Sequence, residues 1–290
     1  LDDSLNNLLI YDEFAEKYIE EIKNKEYSLE FAKNLIFLFK HKNQIIRQLV
    51  IETAIFLMKK YIVSKKDLIP VIWMGLGDKN CVYEALSYFL EFKDENGIEI
   101  ALSIFLTDKN GLNRTQACEV MIKLTTAENS NKIIPFLEDG LNDNYYSVRS
   151  YCASGLALYN STSSIDLLKE AEKKERNILV KTIIIGSLIY LTKEKSLLEN
   201  LLKCLYANNP YVPIYVIENL ITEVNEKIIT INDILDILKH KIIRNKTVSD
   251  LIIELESDSK RNPILLLNDI KNKYIKISDE IFFNKLSKKQ

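Results

Sequence analysis

The sequence predicts an all-α fold assembled from stacked helical hairpins, and three observations predict it. Only 7 Gly and 5 Pro punctuate 290 residues. That is a poor supply for a sheet protein, whose tight turns draw on Gly for positive φ and on Pro for a fixed φ. Apolar residues recur at helical spacing in one segment after another. Finally, one loop-and-helix phrase returns at intervals of roughly 30 to 40 residues, the mark of a repeat architecture.

The phrase is clearest at Asp143-Asn144-Tyr145-Tyr146-Ser147-Val148-Arg149-Ser150-Tyr151-Cys152-Ala153-Ser154-Gly155-Leu156. A polar loop opens on Asp and leads into a helix. Small residues at Cys152, Ala153 and Gly155 let another helix approach closely, while Val148, Leu156 and Tyr159 supply the apolar stripe. Residues 113–121 match position by position, with Asp108 six residues before Arg114 as Asp143 is before Arg149. Residues 180–188 fit again, with Glu175 six before Lys181. The anchor positions are 47, 84, 114, 149, 181 and 213, and three of the six Arg in the chain fall in this one column.

In chain order, residues 1–27 carry Leu5, Leu8, Leu9, Phe14, Tyr18, Ile19 and Ile22 and read as N-terminal capping helices. Residues 28–40, with Phe31, Leu35, Leu38 and Phe39, form a first helix. The helix of Arg47, with Val50, Ala54 and Leu57, folds back on it. Residues 64–76 (Leu68, Ile69, Ile72, Trp73) precede the Glu84 helix, and 96–106 (Ile98, Ala101, Leu102, Phe105) precede the Arg114 helix. Residues 131–141 lead to Arg149, 164–174 to Lys181 with Ser164 as N-cap, 195–206 to Val212-Pro213, and 231–242 open a further hairpin. No such hairpin buries its apolar stripe alone, so neighbours must stack. Residues 28–245 are therefore the repeats, with no linker rich in Gly, Ser or Pro to interrupt them. Residues 246–290 give helical stretches at 248–255, 263–275 and 281–286 and read as a degenerate repeat or C-terminal cap that frays at its end.

The unit resembles a HEAT repeat, whose second helix carries Asp in the preceding loop, then Val-Arg, then two small residues, then Ala-Leu. Asp143, Val148-Arg149, Cys152-Ala153 and Gly155-Leu156 carry that pattern here, as do Asp108, Arg114 and Ala117-Cys118. The resemblance covers roughly residues 28–222 and implies an armadillo-like, right-handed α-α superhelix, a solenoid of about six to eight hairpins. It departs at Glu84 and Pro213, which stand in the Arg position, and at His41, in the Asp position. Those units are expected to lack the usual loop-to-helix contact. HEAT arrays serve many unrelated roles, so the resemblance speaks to fold far more than to function.

Composition narrows the function. A formal net charge of −2 offers no global basic field for nucleic acid. No apolar run reaches the ~18 residues of a membrane span. The first residues lack the basic and apolar regions of a signal peptide, and Cys81, Cys118, Cys152 and Cys204 are scattered without a CxxC pair, so a reducing cytoplasm is expected. Cys118 and Cys152 sit at small-residue positions and read as packing residues. His41 and His240, the only two His, are too far apart in sequence for local metal-ligand spacing, so no metal and no cofactor are expected. Gly75-Leu76-Gly77 follows no strand and reads as a helix end. Trp73 reads as core. Two glycosylation patterns, at Asn113 and Asn160, read as incidental.

Two columns are candidate sites. Arg47, Arg114, Arg149 and Lys181 could line a groove for phosphate or carboxylate groups. The constant six-residue offset favours a structural role instead, Asp108 with Arg114 and Asp143 with Arg149, each pair bracing its turn. One position beyond the Arg, and a turn further on, stand Gln48/Glu52, Ala85/Phe89, Thr115/Glu119, Ser150/Ser154, Thr182/Gly186 and Ile214/Glu218. These escape the apolar stripe. On the inner curve of stacked hairpins they would make an acidic strip of Glu52, Glu119 and Glu218, with Phe89, Tyr151 and Tyr215 as aromatic anchors.

No assembled catalytic set accompanies this framework. The expectation is a non-enzymatic scaffold that binds another protein on its concave face, one concrete version being a bacterial immunity protein that occludes a toxin. The alternative is a HEAT-like DNA-binding protein or alkylpurine DNA glycosylase, which the acidic balance and scarce Arg disfavour.

Overall fold

The computed structural model describes residues 28–60, 62–240, 245–257 and 261–287. The expected N-terminal cap over 1–27 lies outside the described residues. Among those described, every regular element is a helix and no strand occurs. The chain divides into two compact units, Leu1–Thr126 and Ala127–Gln290.

In the first unit, α1 (Ser28–Leu38), α2 (Gln44–Lys59), α3 (Lys65–Leu76), α4 (Val82–Phe92), α5 (Gly97–Thr107) and α6 (Gly111–Leu124) alternate as first and second helices of hairpins. The second helices stand in a row, α2 on α4 and α4 on α6, with α3 packed against α2 and α4, and α5 against α6. Asn43 and Asn110 start α2 and α6 by accepting the N–H of Ile45 and Leu112, so each N-cap satisfies a donor the helix leaves open. The core between helices holds Ile51, Leu57, Leu68, Ile72, Leu86, Tyr88, Phe89 and Met121, all fully buried.

Close approach explains the glycines here. A Cβ on Gly75 would stand 2.5 Å from Ile51 Cδ1 and 3.0 Å from Ala85 Cβ, so a side chain there would make Ile51 shift its terminal methyl. Gly77 follows the last residue of α3 with φ −82°, so it closes the helix without using the left-handed region. A Cβ on Gly97 would meet Phe89 Cβ and Cγ at 2.6 Å, and Phe89, 1% exposed, has no solvent to retreat into. Gly97→Ala is expected to cost about 1–3 kcal/mol through overpacking. Urea unfolding followed by the fluorescence of Trp73, the only Trp in the chain, reads this directly, and an unchanged midpoint would show that Phe89 can yield.

In the second unit a 3-10 turn at Ala127–Lys132 leads into α7 (Ile134–Gly140). There follow α8 (Tyr146–Leu158), α9 (Ile165–Lys174), α10 (Ile178–Thr192), α11 (Leu198–Lys203), α12 (Val212–Asn225), α13 (Ile231–His240), α14 (Lys246–Ser257) and α15 (Pro263–Ser287). Its second helices form a row of their own, α8 on α10, α10 on α12 and α12 on α15. Ile189, Leu201, Leu202, Val216, Ile217, Leu220, Leu238, Leu251 and Leu267 knit α10 to α15 into one core. Gly186 lets Asn219 of α12 into α10, since a Cβ there would sit 1.6 Å from Asn219 Oδ1.

Several expectations need correction. Residues 263–287 form one continuous 25-residue helix, not two segments, and the interval around Ser278 is held because Ser278, 1% exposed, donates its hydroxyl to the Pro210 carbonyl at 2.7 Å. Ser164 is not a side-chain cap: it is buried and donates to Glu138 Oε1 at 2.5 Å, tying α9 to α7. Trp73 is 53% exposed, because the buried stripe of α3 runs through Leu68, Val71, Ile72 and Gly75 and leaves position 73 outside it. All four cysteines are free thiols and buried.

Candidate functional site

The arginine column resolves into a ladder of braces, with a connectivity the sequence spacing does not show. Arg149 lies at the start of α8. Its Nη1 donates to the main-chain carbonyl of Asp143 at 2.8 Å, while Nε and Nη2 reach Glu175 of the following turn at 2.6 and 2.9 Å. Arg47 repeats the arrangement: Nη1 donates to the His41 carbonyl at 2.8 Å and Nε pairs with Asp78 of the next turn at 2.6 Å. Arg114 makes the same backbone bond, to the Asp108 carbonyl at 2.9 Å. The expected pairs Asp108 with Arg114 and Asp143 with Arg149 therefore join through main-chain oxygen. For Arg47 and Arg149 the ion pair goes one hairpin onward.

The acids are occupied locally. Asp78, Asp108, Asp143 and Glu175 each accept the main-chain N–H two residues on, at 3.0, 2.7, 2.7 and 2.7 Å. His41 does the same through Nδ1, to Asn43 N at 3.0 Å, so the turn expected to lack its contact has it. Burial alone would push the Glu175 carboxyl up. The Arg149 guanidinium and the Asn177 N–H outweigh it and hold the group below its ordinary value, and Asp78 is held down in the same way by Arg47 and Asn80. With Nε, Nη1 and Nη2 of Arg149 all engaged, that residue braces turns and has no fork left to present to a ligand.

The second-helix face of the first unit carries carboxylates. Glu52 on α2 is exposed, and burial of part of its side chain pushes its carboxyl up. Glu84 on α4 is half-buried, and burial together with the nearby Glu52 charge raises it as well. Gln48 Nε2 donates to Glu84 Oε1 at 2.9 Å, while Glu84 Oε2 is buried with no hydrogen-bond partner. Glu119 on α6 pairs with Lys123 one turn on at 2.5 Å. Phe89 does not belong to this face. On α4 the buried stripe is Val82, Ala85, Leu86, Tyr88 and Phe89, so the column that is outward on α2 is core here, and Glu84 takes the surface place. Its presence in the Arg position was the available signal for that rotation.

The corresponding face of the second unit is aromatic. Tyr146 opens α8 at 44% exposure, with its ring 5.3 Å from that of Tyr145. Tyr215 on α12 is half-buried, and burial, then the nearby Glu218 and Tyr146, push its hydroxyl pKa up, which places Tyr146, Tyr215 and Glu218 in one cluster. Between them α10 carries Thr182 and Gly186, both buried, with Asn219 of α12 filling the space at Gly186, so neither presents a side chain on this face. Glu218 is already partnered, by Lys271 of α15 at 3.6 Å. Tyr151 is half-buried on α8. Tyr146 was not anticipated, because it precedes the anchor arginine and lies outside the column.

Among the described residues no group of three or more His, Cys, Asp or Glu could hold a metal ion, and no helix is long and apolar enough to cross a membrane. Comparison of the chain with family models, with curated proteins and with solved structures returns no match.

Proposed function

We propose that the chain is a non-enzymatic interaction scaffold, a HEAT-like right-handed superhelix that binds a partner protein on the face lined by its second helices. The observation that carries this reading is the unsatisfied acidity of that face in the first unit. Glu84 Oε2 is buried without a hydrogen-bond donor, beside Glu52, whose carboxyl is likewise pushed up by burial. A lysine or arginine side chain of a partner seated against Glu52, the exposed acid of the pair, would lower both carboxyls through its charge. The Tyr146–Tyr215 cluster offers the second unit an anchor of the kind that dominates protein interfaces. A cationic toxin neutralised in the cytoplasm is one partner of this chemistry, and the four buried free thiols suit a reducing compartment.

The test is capture of a partner from source lysate with wild type and with a Glu52→Lys, Glu119→Lys double variant. Glu52 is exposed and Glu119 half-buried against Lys123, so circular dichroism of the variant first establishes that it folds. Its affinity is expected to fall ~10-fold or more, chiefly through slower association. Equal capture by both proteins would refute the acidic face. Salt-steep binding of duplex DNA by the wild type would move the reading to the DNA-binding alternative.

A further inference from the structure

Beside α12 the second unit holds a cleft of about 370 Å³, independent of the face described above. Its floor is Ile229, Leu255 and Leu266, at 2, 0 and 5% exposure, and the half-buried Leu235 forms one wall. Two cations, Lys227 and Arg261, line it as well. Arg261 pairs with Asp269 at 2.6 Å, while Lys227 is exposed and forms no ion pair among the described residues. Asp233, in the first turn of α13, is engaged by Lys195 at 3.0 Å and by Thr230 at 2.7 Å. Ile231 and Pro263, the first residues of α13 and α15, also line the cleft.

We infer that this cleft binds a small aliphatic carboxylate, a free acid of the fatty-acid type. The alkyl chain lies on the half-buried Val224, Ile231 and Leu235, which line the cleft above that floor, and the carboxylate meets Lys227 and shares Arg261 with Asp269. The volume lies at the lower end of the small-molecule range, which suits a short or medium chain. An apolar cleft with a lysine ammonium at its edge selects for amphipathic anions: an alkylamine places a like charge against Lys227, and an alcohol brings no countercharge to it.

Calorimetric titration of the 290-residue protein with octanoate, octanol and octylamine tests the assignment. Octanoate is expected to bind saturably at one site, ~10-fold or more tighter than octanol, with octylamine not binding. A Lys227→Ala, Arg261→Ala double variant changes two exposed side chains and should keep its helical circular dichroism. It is expected to lose ~10-fold in octanoate affinity. Absence of saturable octanoate binding, equal affinity for octanol, or an unaffected double variant would each overturn the proposal. So would a leucine-ended peptide with a free C-terminal carboxylate that binds ~10-fold tighter than octanoate, since it would assign the cleft to a polypeptide end instead.

Discussion

Glu223→Gln is expected to stabilise the protein in alkaline solution and to leave it nearly unchanged in acid. Glu223 lies near the end of α12 at 1% exposure, and its Oε2 is buried without a hydrogen-bond partner. Burial pushes its carboxyl from 4.5 to about 8, with the Glu226 charge adding to the rise and Lys193 opposing it. The folded protein therefore holds this proton more tightly than the unfolded chain does. Below the unfolded value both states are protonated, and the buried neutral acid is tolerated. As pH rises toward 8 the unfolded chain ionises first, so folding loses stability across that window and the full loss is reached above it. At 1.36 kcal/mol per pKa unit the loss is about 3–5 kcal/mol at most. A glutamine has the same shape and never ionises, which removes this dependence. Urea unfolding by circular dichroism at several pH values, wild type against variant, measures it. A difference between the two that stays constant with pH would show that Glu223 is not the group responsible.

Arg149→Ala is expected to cost about 3–5 kcal/mol. The guanidinium satisfies three acceptor atoms in two turns, and the Glu175 side chain it leaves behind is only 4% exposed. An uncompensated carboxylate in that position costs more than the pair contributes in net terms, so Glu175→Gln on the alanine background should recover part of the loss. Arg149→Lys should fall between, because one ammonium cannot reach both Glu175 and the Asp143 carbonyl in the forked geometry. The pair's contribution is present above the unfolded carboxylate pKa and disappears as acid protonates Glu175. Chemical denaturation of wild type, Arg149→Ala, Glu175→Gln and the double variant gives the cycle, with Arg149→Lys measured beside them. A loss under about 1 kcal/mol for the alanine variant would place this brace among ordinary surface ion pairs.

The helices were legible because the signals for them are local: periodic apolar residues and small residues at crossings. The Asn caps at Asn43, Asn110 and Asn177 are equally local but were not among the signals used. What escaped was set by neighbours. The stripe of α4 is rotated relative to that of α2, and this put Phe89 in the core, a fact that depends on Gly97 of α5 making room for its ring. The partners of Arg47 and Arg149 stand 31 and 26 residues away, and no spacing within one turn reveals them. A smaller signal was present and went unread. Asp78-x-Asn80, Asp108-x-Asn110 and Glu175-x-Asn177 repeat an acid two residues before Asn, and in each the acid accepts that Asn's own N–H. The continuity of α15 was hidden because the polar stretch around Ser278 resembles a break until Pro210 is seen to receive its hydroxyl.

The braces at Arg47 and Arg149 both point the same way, from an earlier hairpin to a later one. Modular engineering must respect that polarity. A graft or deletion cut at helix boundaries would strand a guanidinium on one side of the seam and an acid on the other. Splicing from one anchor arginine to the equivalent position of another keeps donor and acceptor matched, so the natural unit of exchange is offset from the hairpin by about one turn of helix.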